Sequence, residues 1–350
     1  MAETPAEKPK RRPRYRGTHP RQFHEKYKEH QPERYQADVA KVLASGKTPA
    51  GSHRPILVRE VMEVLAPKPG EIAVDATLGY GGHAVEMLRR IRPGGRLYGL
   101  DADPIELPKT EARLRAAGYG EAELIVRRTN FAGLAQVLAA EGVDRADVIL
   151  ADLGLSSMQI DDPTRGFTCK RPGPLDLRMN PQRGQSAAVL LAGLDETRLE
   201  RVLVDNADEP HAGVLARAMV QAGKRTPLST TTALVKVVAA ALEEMPGDRS
   251  RDQVELSVRR VFQALRIVVN DEFSALETFL RRLPDCLKPG GRVAVLTFHS
   301  GEDRRVKKAF RAGRRDGVYS DAAEDVVRST KDETFSNRRA AAAKLRWAVR

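Results

Sequence analysis

The chain has only two cysteines in 350 residues, and this scarcity excludes several classes of protein. Cys169 and Cys286 are far apart and form no Cys-x-x-Cys pair. A disulfide framework or a structural zinc site is therefore not expected, and a reducing compartment is favoured. The sequence also lacks an apolar run of membrane-spanning length and a secretory signal. These absences predict a cytoplasmic protein that needs neither a membrane nor a metal ion.

Acidic residues are too few at both ends of the chain to balance the basic ones. Residues 1–50 hold 12 Lys/Arg against 6 Asp/Glu, residues 301–350 hold 14 against 8, and the residues between them are neutral overall. The net charge of +12 therefore belongs to the two terminal segments. A neutral body with basic ends suits a partner with a phosphate backbone, although such a tail can also serve only solubility.

Aliphatic residues are scarce at the start of the chain, where Lys, Arg, Pro, Gln and His predominate until Val39. Aromatic residues are interleaved with the basic ones, at Tyr15, Phe23, Tyr27 and Tyr35. Such a composition cannot bury enough apolar surface to fold by itself. Residues 1–50 are therefore predicted to be a basic, flexible arm, and their six acidic residues disfavour a transit peptide.

The most informative segment is the run Asp-Ala-Thr-Leu-Gly-Tyr-Gly-Gly-His at residues 75–83. It joins a predicted strand at 72–75 to a predicted helix at 84–91, and a second predicted strand, 96–101, ends in Asp101. Strand, glycine turn, helix, strand and acid form the unit that holds a nucleoside-containing cofactor. The glycines let backbone N–H groups approach the ligand, and the Asp101 carboxylate can accept both ribose hydroxyls. A glycine turn of another α/β enzyme is the alternative.

The residue that ends the first strand distinguishes between cofactors. A dinucleotide site usually has glycine directly after this strand, so that the pyrophosphate reaches the helix N-terminus. Here the strand ends in Asp75, whose carboxylate repels pyrophosphate but tolerates the ammonium group of an amino acid. The sequence therefore favours S-adenosylmethionine (AdoMet) over NAD.

Strands and helices alternate up to Asp152 and again after residue 255. Strands are predicted at 123–127, 147–152, 292–298 and 344–349, the last at the sheet edge; helices are predicted at 104–117, 131–140 and 254–287, the last broken near Pro284. This alternation predicts an α/β fold with a largely parallel sheet. Residues 186–245 show helical periodicity alone, with Ser229 or Thr230 as an N-cap, so 160–255 is predicted to be an inserted, all-helical domain.

Asp152 follows the fourth predicted strand, at the edge where open α/β sheets bind their ligands. N-methyltransferases commonly carry an Asp/Asn-Pro-Pro-aromatic loop here, which orients an exocyclic amine toward the methyl group. This chain has the aspartate but lacks the Pro-Pro-aromatic sequence. On this motif alone, a nitrogen target and a capped strand end are both open.

Several longer motifs follow one another in a fixed order. They are His-x-Pro at 53–55, the run at 75–83, Asp-Leu-Gly-Leu-Ser-Ser-x-Gln at 152–159, Asp-Asp-x-x-Arg-Gly-Phe at 161–167, Gly-Pro-Leu-Asp-Leu-Arg-Met at 173–179, Phe-Gln-Ala-Leu-Arg-Ile-x-Val-Asn at 262–270, Phe-His-Ser at 298–300 and Glu-Asp-Arg at 302–304. Over about residues 52–350, the chain closely resembles the small-subunit ribosomal RNA cytosine-N4 methyltransferase family, known as RsmH or MraW.

The resemblance implies AdoMet-dependent methyl transfer to N4 of a cytidine in the decoding (P-site) region of 16S rRNA, with the small ribosomal subunit as partner. It also implies a Rossmann-like methyltransferase domain interrupted by a helical domain. The methyltransferase domain would comprise residues 51–159 and 256–350, and the helical substrate-recognition domain residues 160–255. Whether the protein is a monomer or a homodimer stays open.

The resemblance also assigns roles to individual residues. Cofactor contacts would come from Gly81, Gly82, His83, Asp101 at the ribose, Phe131 beside the adenine, Asp152 and Gln159. Asp152 is the candidate catalytic residue. RNA contacts would come from Arg178, Arg266, Asn270, His299 and Ser300, although interdomain salt bridges are an equal alternative for the two arginines.

Three departures from the family pattern avoid the cofactor loop. Residues 256–261 keep only Arg260 of the usual His-Pro-Ala-Thr-Arg-Thr, Gly301 replaces a leucine, and residues 337–342 replace Asn-Pro-Arg-Ala-Arg-Ser with Asn-Arg-Arg-Ala-Ala-Ala. They fall where RNA contacts are plausible, so AdoMet is a firmer expectation than the RNA target. The alternatives are a methyltransferase of another RNA or DNA base and a non-catalytic rRNA-binding assembly factor.

Deletion of residues 1–35 should separate RNA binding from cofactor binding. Basic arms contribute a sequence-independent electrostatic attraction that weakens with salt. We expect the deletion to leave AdoMet affinity unchanged, to weaken RNA binding and to flatten the plot of log affinity against log salt concentration. An unchanged slope would show that the arm has another purpose.

Overall fold

The computed structural model describes residues 55–247 and 250–350. The N-terminal arm predicted at residues 1–50 lies outside these ranges. Within them, no helix is both long enough and apolar enough to cross a membrane.

A seven-stranded sheet with the order β3-β2-β1-β4-β5-β7-β6 organises the fold. Its strands are β1 Ile72–Asp75, β2 Arg96–Asp101, β3 Leu124–Arg128, β4 Ala146–Asp152, β5 Leu287–Thr297, β6 Asp321–Ala322 and β7 Lys344–Val349. Strands β1 to β5 are parallel, whereas β7 is antiparallel to both β5 and β6. The strand order reverses beside β1, which opens a crevice at the carboxyl ends of β1 and β4. The predicted α/β class with a Rossmann-like sheet is confirmed.

Helices cover both faces of this sheet. They are α1 Val58–Leu65, α2 Gly82–Ile91, α3 Glu106–Ala116 and α4 Leu134–Ala140, and later in the chain α11 Glu272–Cys286 and α12 Ser300–Arg315. Because successive strand residues point to opposite faces, Val293 and Val295 of β5 pack with α4, α11 and α12, while Ala294 and Leu296 pack with α1, α2 and α3. Both faces of the central strands are therefore buried, as parallel sheets require.

A third core forms among five of the helices between β4 and β5, which follow the short α5 Ser157–Asp161. These are α6 Ala187–Gly193, α7 Glu196–Ala207, α8 Ala212–Arg225, α9 Thr231–Glu243 and α10 Arg251–Asn270. Leu203, Leu215, Leu234 and Val261 represent α7 to α10 in this core. Helix α10 runs unbroken through residue 255, and its buried residues up to Leu265 belong to the helical core.

The helix break predicted near Pro284 was misplaced. It falls at Asp271, which adopts a left-handed conformation (φ 50°) between α10 and α11. Pro284 lies inside the last turn of α11, where its missing N–H group costs one bond at the end of the helix. Between Ser229 and Thr230, the N-cap of α9 is Thr230, whose hydroxyl accepts the N–H of Ala233.

Two predicted strands also differ from expectation. β5 begins at Leu287 rather than at Arg292, because the Pro-Gly-Gly turn lies within an irregular part of the strand, between the pairs Ala146–Leu287 and Val148–Arg292. β7 was predicted at the sheet edge, but it lies between β5 and the short β6, which is the edge strand.

Asn270, the last residue of α10, fixes the segment at residues 173–179. Its Nδ2 donates to the carbonyl of Leu177 at 2.7 Å, and its Oδ1 accepts the N–H of Met179 at 2.7 Å. Leu177 has a φ of 63°, which is unfavourable for a leucine, so this conformation needs the support of its neighbours.

Asn270→Ala should therefore destabilise the protein. It leaves the backbone groups of Leu177 and Met179 without these partners, so we expect urea denaturation to show a loss of about 2–3 kcal/mol. A matched control is Asn206→Ala, because Asn206 makes one long side-chain bond, of 3.4 Å, to Ala264. That change should cost less than about 1 kcal/mol, and equal losses in the two variants would contradict the assignment.

Candidate active site

Three carboxyl groups meet at the carboxyl edge of the sheet. Asp75 ends β1, Asp101 ends β2 and Asp152 ends β4. Thr77 connects two of these strand ends, because its N–H donates to Asp75 Oδ1 at 3.2 Å and its hydroxyl oxygen accepts the N–H of Asp152 at 2.6 Å. The sheet order thus brings together acids that are distant in sequence.

Two positions of the turn after β1 require glycine for steric reasons. Gly81 caps α2 with a φ of 80°, a conformation that favours glycine. Gly82 lies so close to Pro55 that an added Cβ atom would overlap the proline ring. The helix α2 can begin at this point only because both positions lack side chains.

Asp101 ties the glycine turn to the turn after β2. Its Oδ2 accepts the N–H of Gly79 at 2.8 Å, and its Oδ1 accepts the N–H of Asp103 at 2.8 Å. Burial raises the pKa of Asp101 to about 6, although these backbone hydrogen bonds favour the ionised form. Each carboxylate oxygen can accept a further hydrogen bond, so the acid keeps acceptor capacity for a ligand.

Asp103 is the centre of a buried polar network that the sequence analysis missed. Its Oδ2 accepts Gln159 Nε2 at 2.7 Å and Arg165 Nη1 at 2.9 Å. Arg165 also donates to the carbonyls of Arg178 and Met179. Asp103 also donates its N–H to Asp101. Gln159, an expected cofactor contact, is therefore connected to Asp101 through Asp103. The Arg-Gly-Phe motif was the available signal for Arg165, but nothing local pointed to Asp103.

His83 is buried beside Asp152 and is held in one tautomer. Its Nε2 lies 2.9 Å from the carbonyl of Ile56, and because a carbonyl only accepts, Nε2 carries the proton. The lone pair of Nδ1 then faces Asp152 Oδ2 at 3.6 Å. Burial lowers the pKa of His83 to about 4, so the ring is neutral at physiological pH.

The strand-end acids have no basic partner among the described residues. No Lys or Arg in those ranges forms an ion pair with Asp75 or Asp152. Burial, with Asp101 nearby, raises the pKa of Asp75 to about 7, and burial, with Asp75 and Glu302 nearby, raises the pKa of Asp152 to about 8. An organic cation placed between them would favour ionisation of both.

Phe131 stands on the far side of Asp101, just after β3. It begins a 3-10 turn at Phe131–Gly133 and packs edge-on against Phe279, with ring centroids 5.6 Å apart. The ring is half-buried. Its place beyond β2 and β3 is compatible with the adenine side of the site.

The candidate RNA contacts are mostly engaged in internal bonds. Arg178 makes two bonds to Asp176, two residues away, and Arg266 makes two bonds to Glu272 at 2.7 and 2.8 Å. The first pair lies within one loop and the second joins α10 to α11. Arg266 thus joins the ends of two helices, while Asn270 holds the backbone of Leu177 and Met179.

His299 and Ser300 lie at the start of α12, on the same edge as Asp152. His299 is the N-cap and accepts the N–H of Glu302 at 3.4 Å, while Glu302 Oε2 accepts the N–H of Phe298 at 2.8 Å. Burial opposes ionisation of Glu302, but His299, Arg266 and Phe298 lower its pKa below the usual range.

One polar bridge joins the helical core to the sheet and was not predicted. Ser300 Oγ donates to Asp208 Oδ2 at 3.2 Å, and Arg304 donates to both oxygens of the same carboxylate at 3.1 and 3.0 Å. Asp208 directly follows α7 in a left-handed conformation (φ 49°). The bridge places α12, which packs on the sheet, beside the C-terminal end of α7, which belongs to the third core.

Gly301, which departs from the family pattern, is explained by packing. An added Cβ atom would lie 2.6 Å from Cζ of Phe273, so a leucine has no room here. Phe273 lies beside the His299 ring, and the guanidinium of Arg305 covers it at 3.5 Å. The departure therefore follows from an aromatic side chain on α11.

A parallel α/β sheet with a glycine turn and acids at the carboxyl ends of its strands defines the class of enzymes that bind a nucleotide-containing cofactor. The model of the MraW methylase family matches residues 50–350, and the chain belongs to that family. The predicted family, the enzyme class and the AdoMet cofactor are thereby confirmed.

Curated relatives match nearly the whole chain. "Ribosomal RNA small subunit methyltransferase H 2" of Alkaliphilus metalliredigens is 50% identical over 345 residues, which cover 98% of each chain. "Ribosomal RNA small subunit methyltransferase H 1" of Lachnoclostridium phytofermentans is 48% identical over 342 residues, 97% of this chain and 93% of the relative. Among solved structures, TrmN from Thermus thermophilus has 14% identity and a TM-score of 0.39, over 84% of this chain and 48% of its own.

The buried carboxyl of Asp75 should make stability depend on pH. Its pKa of about 7 in the fold exceeds the usual value of 3.8, so the folded protein holds a proton that the unfolded chain loses. This contribution to stability is present at low pH and is lost as the pH rises from about 4 through about 7. Asp75→Asn, which keeps an oxygen acceptor for Thr77, should flatten the decline.

The measurement is the free energy of unfolding by urea, without cofactor, at about pH 5 and about pH 8. Asp144→Asn is a matched control because the Asp144 side chain is 91% exposed. If the loss of unfolding free energy between the two pH values is the same in the wild type, Asp75→Asn and Asp144→Asn, the assigned protonation of Asp75 is wrong.

Proposed function

We propose that this chain transfers a methyl group from AdoMet to the N4 amine of one cytidine in the decoding (P-site) region of 16S rRNA. The observation that supports this most is the acidic edge at β1 and β4, where Asp152 faces a neutral His83 and the described residues supply no cation. The rRNA substrate is supported by the names of the relatives, which are small-subunit rRNA methyltransferases over nearly the same length.

The edge fits AdoMet in shape and charge. Gly81, Gly82 and His83 would line the cofactor at the start of α2, and Asp101 would bind its ribose. Burial and neighbouring acids raise the pKa values of Asp75 and Asp152, and the ammonium and sulfonium groups of AdoMet would oppose that rise. Phe131 would flank the adenine, and Gln159 would close the site through Asp103. When bound, AdoMet supplies a methyl group already activated by its positive sulfur.

Asp152 is the proposed catalytic residue. Thr77 fixes its backbone at the edge, and its Oδ2 lies 3.6 Å from Nδ1 of His83. The N4 lone pair of cytosine is delocalised into the ring, and a carboxylate that accepts a hydrogen bond from this amine helps it to pyramidalise. Such a bond strengthens mainly in the transition state, where it accelerates the reaction. Acceptance of the cofactor's own amine is the second role open to Asp152.

The helical domain would form the second wall of the RNA site. We draw it at residues 160–270 rather than 160–255, because α10 is continuous to Asn270 and packs in the helical core. A cytidine in structured rRNA must leave its stack to reach the sheet edge. His299 and Ser300 at that edge, and Arg178 on the loop opposite, would contact the displaced nucleotide, whereas Arg266 and Asn270 would position the loop.

The proposal is tested by the position of the methyl group. The protein and methyl-labelled AdoMet should be incubated with small ribosomal subunits, with free 16S rRNA and with duplex DNA, and the products mapped by mass spectrometry. We expect N4-methylcytidine at one position of the decoding region. Label in DNA or on another base would overturn the substrate, and no turnover on any RNA would favour a non-catalytic binding factor.

Asp152→Ala should lower methyl transfer far more than RNA binding. Loss of a hydrogen bond to a charged group costs about 1.5–3 kcal/mol, so single-turnover rates should fall about 10- to 100-fold. RNA affinity, measured by filter binding, should change by less than about threefold. Calorimetry of AdoMet binding then separates the two roles, because a contact to the cofactor amine weakens AdoMet beyond the charge effect that Asp75→Asn measures. Normal single-turnover rates would exclude both roles.

A further inference from the structure

Phe335 is an apolar ring presented to solvent on a short helix near the end of the chain. It lies on α13, Lys331–Ser336, and its side chain is 92% exposed, far more than any other large apolar residue of the described ranges. Single exposed apolar residues are common and carry no meaning alone. The surroundings of this one are what distinguish it.

The segment that carries Phe335 lies at the catalytic edge of the sheet. β7 is antiparallel to β5, and Lys344 at its start pairs with Thr297 at the end of β5. The residues that lead into β7 are therefore at the carboxyl edge, where His299 and Ser300 also lie. Arg339 Nη2 lies 3.5 Å from Oδ1 of Asp161, in the helix that follows Asp152.

A second contact places the same segment beside His83. The N–H of Leu57 donates to Glu333 Oε1 of α13 at 2.8 Å. Ile56, the preceding residue, is the one whose carbonyl holds the His83 ring beside Asp152. Both ends of the segment thus reach structures that border the proposed reaction site.

Local hydrogen bonds fix the backbone that presents Phe335. Thr330 caps α13 by accepting the N–H of Glu333 at 3.2 Å. Ser329 Oγ lies 2.9 Å from the hydroxyl of Thr334 and donates to the carbonyl of Ala340 at 2.9 Å. The ring is therefore held outward on a braced turn, which lowers the entropic cost of binding a ligand there.

Basic side chains near Phe335 in the sequence are exposed and can bind a ligand. Arg328, Lys331 and Arg338 are exposed and form no ion pair with any described residue. Of the two acids on α13, Glu333 accepts the N–H of Leu57, and Asp332 is exposed, so three exposed cations face one exposed acid. An exposed aromatic ring among free cations matches single-stranded RNA, whose bases stack on rings while its phosphates bind Lys and Arg. One ring is too small a patch for a stable protein interface.

We propose that Phe335 is a stacking platform for an unpaired base next to the target nucleotide, with Arg328, Lys331 and Arg338 binding the adjoining phosphates. The inference rests on the proposed function, because it assumes an RNA substrate at this edge. It adds a subsite for a flanking nucleotide, outside the cofactor site.

The test compares variants that differ in the ring alone. Binding of a fluorescent, mixed-sequence single-stranded oligoribonucleotide is measured by anisotropy for Phe335→Ala, Phe335→Leu and Phe335→Tyr. We expect Ala to weaken binding about tenfold, Leu to weaken it nearly as much because it lacks a π face, and Tyr to bind as the wild type does. Val318→Ala, which removes an apolar side chain 40% exposed just before β6, is the matched control and should change nothing.

Salt dependence separates the ring from the cations. Phe335→Ala should keep the wild-type slope of log affinity against log salt, whereas Arg338→Ala and Lys331→Ala should each reduce it by about one. AdoMet affinity and thermal unfolding should be unchanged in all of these variants. Those controls exclude a fold defect as the cause of weaker RNA binding.

Two binding results and one kinetic result would overturn the platform. One is wild-type RNA affinity in Phe335→Ala. The other is wild-type affinity in Phe335→Leu, which would mean an apolar contact without stacking. If the wild type methylates small-subunit rRNA and Phe335→Ala does so with an unchanged KM, the platform is wrong while the proposed function stands. If the wild type methylates no RNA, the proposed function itself fails.

Discussion

The burial of carboxyl groups at the ends of β1 and β4 is the constraint on which the site depends. Two acids that lack a basic partner among the described residues oppose the compact state whenever both are ionised, and their raised pKa values express that opposition. Neutral His83 does not relieve it. Ionisation of these buried acids is therefore unfavourable in the free protein and becomes favourable when a cationic ligand binds. Relief of this electrostatic cost contributes to the affinity for the ligand.

The part of the site that lies in one continuous segment could be predicted from the sequence. The glycine turn, Asp101 and the start of α2 are encoded within thirty residues by steric rules and strand–helix alternation, and the structure has them where they were expected. The family motifs added the site residues, whose roles stay predictions. Asp152 was found because strand ends share an edge, a rule that applies across any distance in sequence.

What the sequence could not show depends on contacts between distant segments. Asp103 pairs with Arg165, and Asn270 holds Leu177, across about sixty and ninety residues respectively. No periodicity or local motif predicts such partners, because either side chain alone is compatible with a solvent-exposed place. The same applies to Gly301, whose neighbour Phe273 comes from another helix and accounts for the missing leucine only in three dimensions. The helix break lies at Asp271 and not at Pro284, because a proline in the last turn of a helix removes only one backbone hydrogen bond.

The order of the strands has a consequence for synthesis of the protein. β5 is central in the sheet, yet its outer neighbour β7 begins only at Lys344, after α12 and the segment that carries Phe335. While those residues are still being made, the outer edge of β5 is an unpaired row of backbone groups on a strongly apolar strand, and β6 has no partner either. Until β7 inserts between them, this nascent chain is exposed to edge-to-edge association, and chaperones would have their greatest effect in that interval.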